Sequence, residues 1–208
     1  TPLHVLSLSN LTENGAAYRP FEIKERAALA HEAGLAVHLD GARLANALVS
    51  TGATPAEMTW RAGVAVLSFG ATQTGGAGCE AIILFGAARQ RLQELQIRAK
   101  RAGHMPPKMR FLGAQMAAYL QDGLWLDLAR RANTSAALVA AALTKAGAEL
   151  AHPVDGNEVF AVLPPGAADR LTTAGAGFYP WPDGSHRFVC SWATEPAELE
   201  AFAAVLAS

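Results

Sequence analysis

The sequence has few cysteines, little net charge and no long apolar run. Its 208 residues include two cysteines, Cys79 and Cys190, which lie far apart and form no CxxC pattern. Two reduced thiols are therefore expected, rather than a disulfide or a zinc site. The 17 basic and 18 acidic side chains give a net charge of −1. This balance does not favour binding to nucleic acid or to an anionic membrane.

Signals for export and for membrane insertion are also missing from the sequence. The first residues lack a charged segment followed by an apolar run and a cleavage site, and no apolar stretch approaches the roughly 20 residues of a membrane span. We therefore expect a cytoplasmic protein. Hydrophobic residues make up 51% of the chain, which is ample for a buried core. The chain begins at Thr1, which is consistent with processing, tag removal or a fragment.

Short apolar segments alternate with helical patterns in the first hundred residues. This alternation predicts an α/β fold, with a mostly parallel sheet covered by flanking helices. A capping-box spacing at Thr54 and Glu57 predicts a further helix start. The predicted strands cover residues 3–9, 35–39, 64–68 and 80–85, and the main helices run from Pro20 to Gly34 and from Gly41 to Gly52.

The rest of the chain is first helical and then rich in short β-segments. A helical pattern covers residues 87–147 and is interrupted by Pro106 and Pro107. Strands are predicted at 158–163, 177–181 and 187–192, with helices at about 165–174 and 195–207. We therefore predict a partial large domain over residues 1–105, a long helical connection over 106–146 and a small α+β domain over 147–208.

Two of the predicted strand ends carry polar side chains, in the segments HLDGAR (38–43) and SFGATQ (68–73). In open α/β sheets, ligands bind beyond the carboxyl ends of the strands. Two interpretations remain open for Asp40: pairing with a protonated ring nitrogen or a sugar hydroxyl, or capping of the helix after Gly41. Arg43 either shares this site or lies on the helix surface.

The loop SFGATQTGGAG (68–78) is either a simple glycine-rich turn or a functional loop that carries Gln73. It is not a phosphate-binding P-loop, because Gly75 is followed by Gly76 and not by lysine. The histidines show no HExxH or HxxxH spacing, so no metal site is predicted. The sequence also contains no GxSxG motif of a serine hydrolase.

Together these motifs resemble the threonine aldolase and β-eliminating lyase family. The resemblance is carried by HLDGAR followed by LANAL, by AEMTWRAGVAVLSFGAT, and further on by HPVDGNEVFAVLP, GAGFYPWP and RFVCSWAT. It implies the aspartate aminotransferase fold (fold type I), a pyridoxal phosphate cofactor, small amino-acid substrates and a homo-oligomer. It also implies that the chain corresponds to roughly the last three-fifths of a family member, after the family's phosphate loop and ring-stacking residue.

The resemblance implies a role for several individual residues. Asp40 matches the aspartate that pairs with the pyridine nitrogen, and Arg43 matches the arginine near the cofactor's 3′-oxygen. Arg187 matches the arginine that binds the substrate carboxylate, a role suited to a bidentate guanidinium. Ser68 and Thr72 fall where small hydroxyl residues lie near the cofactor phosphate.

A basic segment that includes Lys108 and Arg110 has two interpretations. It matches a family segment that faces a neighbouring active site in the oligomer. A solvated helix face explains the same residues.

Gln73 stands where the family has its Schiff-base lysine. An amide is not a nucleophilic amine, so covalent binding of pyridoxal phosphate is not expected, nor can the amide shuttle the α-proton. In the family, the reaction splits β-hydroxy-α-amino acids into glycine and an aldehyde. We expect this chain to be inactive, as a fragment or a pseudoenzyme that acts as a binding or oligomerisation module. The alternative is that glutamine was introduced deliberately into an active protein.

Overall fold

The computed structural model describes residues 3–207, which form two β-sheets. Strands β1, β2 and β3 of the first sheet are parallel, whereas β4 runs antiparallel to β3. Residues 71–79, which join β3 to β4, are too few for the crossover that a parallel strand requires. The predicted α/β fold with a mostly parallel sheet is confirmed. In spatial order the strands are β1 (Val5–Ser9), β2 (Ala36–Gly41), β3 (Val66–Gly70) and β4 (Glu80–Leu84).

Three helices follow the first two strands: α1 (Pro20–Glu32), α2 (Leu44–Thr51) and α3 (Pro55–Met58). The capping box predicted at Thr54 is present, since the Thr54 hydroxyl accepts a hydrogen bond from the Glu57 N–H while the Glu57 carboxylate accepts from the Thr54 N–H. The helix that it starts is only one turn long. Gly52 ends α2 with a left-handed φ of 70°, which a glycine adopts without steric cost.

The helical region contains α4 (Leu92–Arg101), α5 (Arg110–Leu120) and α6 (Leu124–Lys145). The helical pattern predicted after Pro107 forms two helices and not one, because the chain breaks at Gln121–Gly123. Asp122 and Gly123 have positive φ angles of 51° and 76°, and aspartate and glycine are among the residues that tolerate this conformation. Helix α6 contacts both α2 and the second sheet.

The second sheet is antiparallel throughout, in the order β5-β6-β8-β7. Two helices, α7 (Ala167–Thr173) and α8 (Pro196–Ala207), accompany it. The three predicted β-segments are present with shifted ends, and the short β5 was not predicted. Domain limits at residues 105 and 146 remain a proposal. The strands are β5 (Glu149–Leu150), β6 (Glu158–Val162), β7 (Tyr179–Pro180) and β8 (His186–Val189).

Each sheet has its own hydrophobic core. In the first, Leu39 and Phe69 lie under the helices that cover one face of the sheet, together with Ile23 from α1. In the second, Val159 of β6 packs with Leu143 at the end of α6 and with other buried apolar side chains. Alternation of inward and outward residues along each strand places these side chains on one face.

The opposite face of the first sheet is open. Val5 on β1 is 50% exposed and Ile82 on β4 is 54% exposed, and these two strands form the edges of the sheet. On the same face, the His38 ring bridges the Ser7 hydroxyl at 2.8 Å and the Ser68 hydroxyl at 2.9 Å. Parallel sheets are usually covered on both faces, so this surface is unusual within residues 3–207.

Both cysteines are buried and free. Burial raises the pKa of Cys190 to about 11, so its thiol stays protonated at neutral pH. No helix in the described part of the chain is long and apolar enough to cross a membrane.

Candidate active site

A cleft of about 230 Å³ lies where the carboxyl end of the first sheet meets the second sheet. Four of the predicted site residues line it: Asp40, Arg43, Gln73 and Arg187. These residues come from β2, the turn before α2, the loop after β3, and β8. The fold therefore brings together residues that are separated by up to 147 positions in the chain.

Asp40 lies inside β2, which extends to Gly41, and not just after the strand as predicted. Its Oδ1 accepts a hydrogen bond from the Ala42 N–H at 3.0 Å. Helix α2 begins four residues after Asp40, at Leu44, with no side-chain cap. The proposed helix-capping role is therefore wrong, because the carboxylate supports the turn that precedes the helix while it faces the cleft.

The loop after β3 is both a tight turn and a support for Gln73. The Gly76 N–H donates to the Ala71 carbonyl at 2.8 Å, and a Cβ on Gly76 would lie 2.9 Å from the Ala71 Cβ. Gly75 has a φ of 126°, a conformation that favours glycine. Small residues thus close the turn, while Gln73 in the middle of it reaches the cleft wall.

Two contacts fasten this loop to α5. The Thr74 hydroxyl and the Tyr119 hydroxyl are hydrogen bonded, and both residues are buried. The Ala77 N–H donates to the Gln115 side-chain carbonyl at 3.1 Å. Burial raises the pKa of Tyr119, so the phenol is neutral at physiological pH.

Ser68 and Thr72 do not line the cleft. The Ser68 hydroxyl is hydrogen bonded to His38, and the Thr72 hydroxyl donates to the Glu80 carboxylate. A carboxylate beside Thr72 would repel a phosphate group. The cofactor-binding roles of Ser68 and Thr72 therefore remain a prediction, and these hydrogen bonds do not support it.

Arg43 and Arg187 converge on one carboxylate, that of Glu158 at the start of β6. The Arg187 Nε donates to Glu158 Oε1 at 2.8 Å, and a second Arg187 nitrogen also donates to that oxygen. The Arg43 Nε lies 3.5 Å from Glu158 Oε2. Burial lowers the pKa of Arg43, and the charge of Glu158 opposes this shift.

Among the residues of the cleft wall that sequence reasoning missed are Glu13, Glu158 and Trp181. Arg187 stacks on Trp181, with its guanidinium carbon 5.6 Å from the ring centroid. The signal for Glu158 was present, since a charged residue opens the apolar strand segment EVFAV. Charged side chains are rarely fully buried unless they are paired, so this position could have been selected as a site residue.

The basic segment lies away from the cleft. Lys108 and Arg110 flank the start of α5, and the Arg110 guanidinium lies over the Phe111 ring at 4.6 Å. Both residues are exposed. Their role at a neighbouring active site stays a prediction.

The fold and the residues of the cleft together define a class of protein. A mostly parallel sheet with flanking helices, followed by a second, smaller sheet, is the fold of the fold type I pyridoxal phosphate enzymes. Residues 1–164 match the family model described as β-eliminating lyase. The chain belongs to the β-eliminating lyase family.

Individual relatives support this assignment. The chain is 42% identical to the low specificity L-threonine aldolase of Pseudomonas sp. strain NCIMB 10558, over 96% of this chain and 58% of the relative. The solved structure of Leishmania major threonine aldolase is 31% identical, with a TM-score of 0.84, over 98% of this chain and 60% of that one. The chain thus spans less than two-thirds of the length of these proteins.

A more distant structure shares the fold alone. The PLP-bound putative aminotransferase of Clostridium difficile 630 is 12% identical, with a TM-score of 0.68, over 98% of this chain and 58% of that one. A protein with this fold, the aminotransferase, therefore holds pyridoxal phosphate in its solved structure.

We predict that the hydrogen bond between Thr74 and Tyr119 stabilises the Gln73 loop. Replacement Tyr119→Phe removes the hydroxyl and leaves the buried Thr74 without this partner. We expect the free energy of unfolding to fall by about 1 kcal/mol, as measured by urea denaturation. The control Tyr179→Phe changes a tyrosine that is 62% exposed and should have almost no effect. Equal losses in the two variants would contradict this interpretation of the loop.

Proposed function

We propose that this chain is a threonine aldolase-type lyase polypeptide that binds its ligands but does not carry out the reaction. The observation that supports this proposal best is the position of Gln73 on the wall of the cleft that Asp40 and Arg187 also line. The family reaction, cleavage of a β-hydroxy-α-amino acid to glycine and an aldehyde, requires an amine at this position. Such an amine would bind the cofactor covalently and move the α-proton.

The described residues fit the ring of pyridoxal phosphate better than its phosphate. Asp40 presents a carboxylate near the carboxyl end of β2. The Ala42 N–H holds this carboxylate, which can keep a ring nitrogen protonated. Bound pyridoxal phosphate supplies an electron sink for the charge that develops at the substrate Cα. Thr72 is occupied by Glu80, so the phosphate finds no free hydroxyl at this residue.

Arg187 is the residue that binds the substrate carboxylate in this proposal. Its planar group is oriented on one side by Glu158 and on its face by Trp181. An arginine held in this way loses little side-chain entropy when it binds a carboxylate. The amide of Gln73 hydrogen bonds but provides neither a nucleophile nor a base.

A second candidate function is that of an oligomerisation module. The open sheet face with its exposed Val5 and Ile82 favours it, since uncovered apolar faces and strand edges promote association. We propose a homo-oligomer in the cytoplasm for this chain. A role in binding and a role in assembly are compatible, because the cleft and the open face use different residues.

Borohydride trapping tests the absence of covalent chemistry. The chain is incubated with pyridoxal phosphate, reduced with borohydride, digested and analysed by mass spectrometry. We expect no pyridoxyl group on the peptide that contains Gln73, because an amide does not condense with an aldehyde. The variant Gln73→Lys is the matched control and should carry the modification at position 73. An adduct at position 73 in the unmodified chain would overturn the proposal.

The same variant tests whether the lysine alone is sufficient for activity. We expect Gln73→Lys in the 208-residue chain to release no measurable glycine from threonine. Thr72, next to position 73 in the loop, is paired with the Glu80 carboxylate and therefore does not receive the phosphate. Glycine is measured by chromatography after derivatisation. Turnover above that of the unmodified chain would show that Gln73 is the one defect of the site.

Self-association is tested by light scattering coupled to size-exclusion chromatography over a concentration series. We expect an oligomer that dissociates on dilution, and a shift towards monomer in Ile82→Lys, because the charge interrupts the open face. The control Leu29→Lys alters an α1 side chain that is 68% exposed on the covered side of the sheet. A single monomeric species at all concentrations would contradict the proposal.

A further inference from the structure

Glu158 is a fully buried carboxylate that contacts the cleft. Its side chain is 1% exposed, whereas those of Arg43 and Arg187 are 20% and 21% exposed. A buried charge of this kind is costly unless it is paired. Both arginines can supply that pairing, one from each side of the junction between the two sheets.

The two arginines are held unequally. Arg187 is bound to Glu158 Oε1 by two nitrogens. Glu158 Oε2 and the Arg43 Nε are 3.5 Å apart, and neither atom has a hydrogen-bond partner among residues 3–207. Buried polar atoms without partners are rare and call for a reason. Oε2 is close enough to balance the charge of Arg43, while the Arg43 Nε–H makes no hydrogen bond to it.

The surroundings prevent Glu158 from leaving this position. Gly15 lies directly over it: a Cβ there would be 3.1 Å from the Glu158 Cβ. The loop of Gly15 is in turn tied to the second sheet's side of the cleft by the Ala17 N–H, which donates to Asp155 Oδ2 at 2.9 Å. The Glu158 side chain is therefore closely packed where it lines the cleft.

We infer that Glu158 is a specificity-determining residue, which limits the arginine pair to ligands with a single carboxylate. Two guanidinium groups alone would suit a dianion, but Glu158 cancels one of the two charges. The remaining charged residues on the cleft wall are the carboxylates Glu13 and Asp40, which repel a second ligand carboxylate and attract an ammonium group. The inference rests on the proposed function and assigns to Glu158 the rejection of ligands that carry a second carboxylate.

Ligand titrations without cofactor test this inference. The arginine Nε–H resonances are followed by nuclear magnetic resonance while propionate or succinate is added, and Arg187→Lys identifies the resonance of Arg187. We expect the unmodified chain to bind succinate no more tightly than propionate. Glu158→Gln keeps an oxygen that accepts from Arg187 but removes the charge. It should strengthen propionate binding by about tenfold, and succinate binding by about a further tenfold, because the gain scales with ligand charge.

Glu149→Gln is the control, since it removes the same charge from an exposed residue of β5 that does not line the cleft. Its effect on the ratio of the two affinities should be much smaller. If Glu158→Gln weakens the binding of propionate and succinate equally, so that the ratio of the two affinities is unchanged, Glu158 only supports the fold. Absence of carboxylate binding to the unmodified chain would also overturn the inference. Tighter binding of succinate than of propionate by the unmodified chain would overturn the inference as well.

Failure of the proposed function gives a different result. A pyridoxyl group at position 73, or glycine release by the unmodified chain, would overturn the proposed function. Neither result changes the ratio of the affinities for propionate and succinate, which tests the role of Glu158. The two hypotheses are therefore tested by separate measurements.

Discussion

The ion pairs of Glu158 with Arg43 and Arg187 are the contact on which the cleft depends. One arginine follows a strand of the first sheet and the other belongs to the second, so the carboxylate between them sets how the two cleft walls face each other. Such pairs add little to stability, because desolvation offsets most of the attraction, but loss of one member leaves a buried charge without a partner. The main effect of these ion pairs is therefore to position the two arginines in the cleft, and their contribution to stability is smaller.

The loop around Gln73 shows that shape and chemistry are separable in this fold. The turn is closed by glycines that have no room for a side chain or have unusual backbone angles, and by the contact between Thr74 and Tyr119. None of these features involves the side chain at position 73. The cleft therefore forms with a glutamine at this position.

Local patterns predicted much of the fold because the relevant forces act over short distances. Short apolar segments located the strands, and the capping box at Thr54 was correct because its hydrogen bonds join residues three positions apart. The break at Asp122 was missed because the apolar spacing of helices continues across it. The antiparallel direction of β4 followed from the length of the loop, which the sequence shows but which our prediction did not use.

The sequence by itself determined the family, the strand ends that carry Asp40 and Gln73, and the absence of an amine at position 73. Only the tertiary structure decided that Ser68 and Thr72 are turned to other partners, and that Glu158 joins the two arginines. The physical reason is that a motif records neighbours along the chain. A buried charge, in contrast, is defined by its partners in space, and Glu158 lies 115 positions after Arg43 and 29 before Arg187.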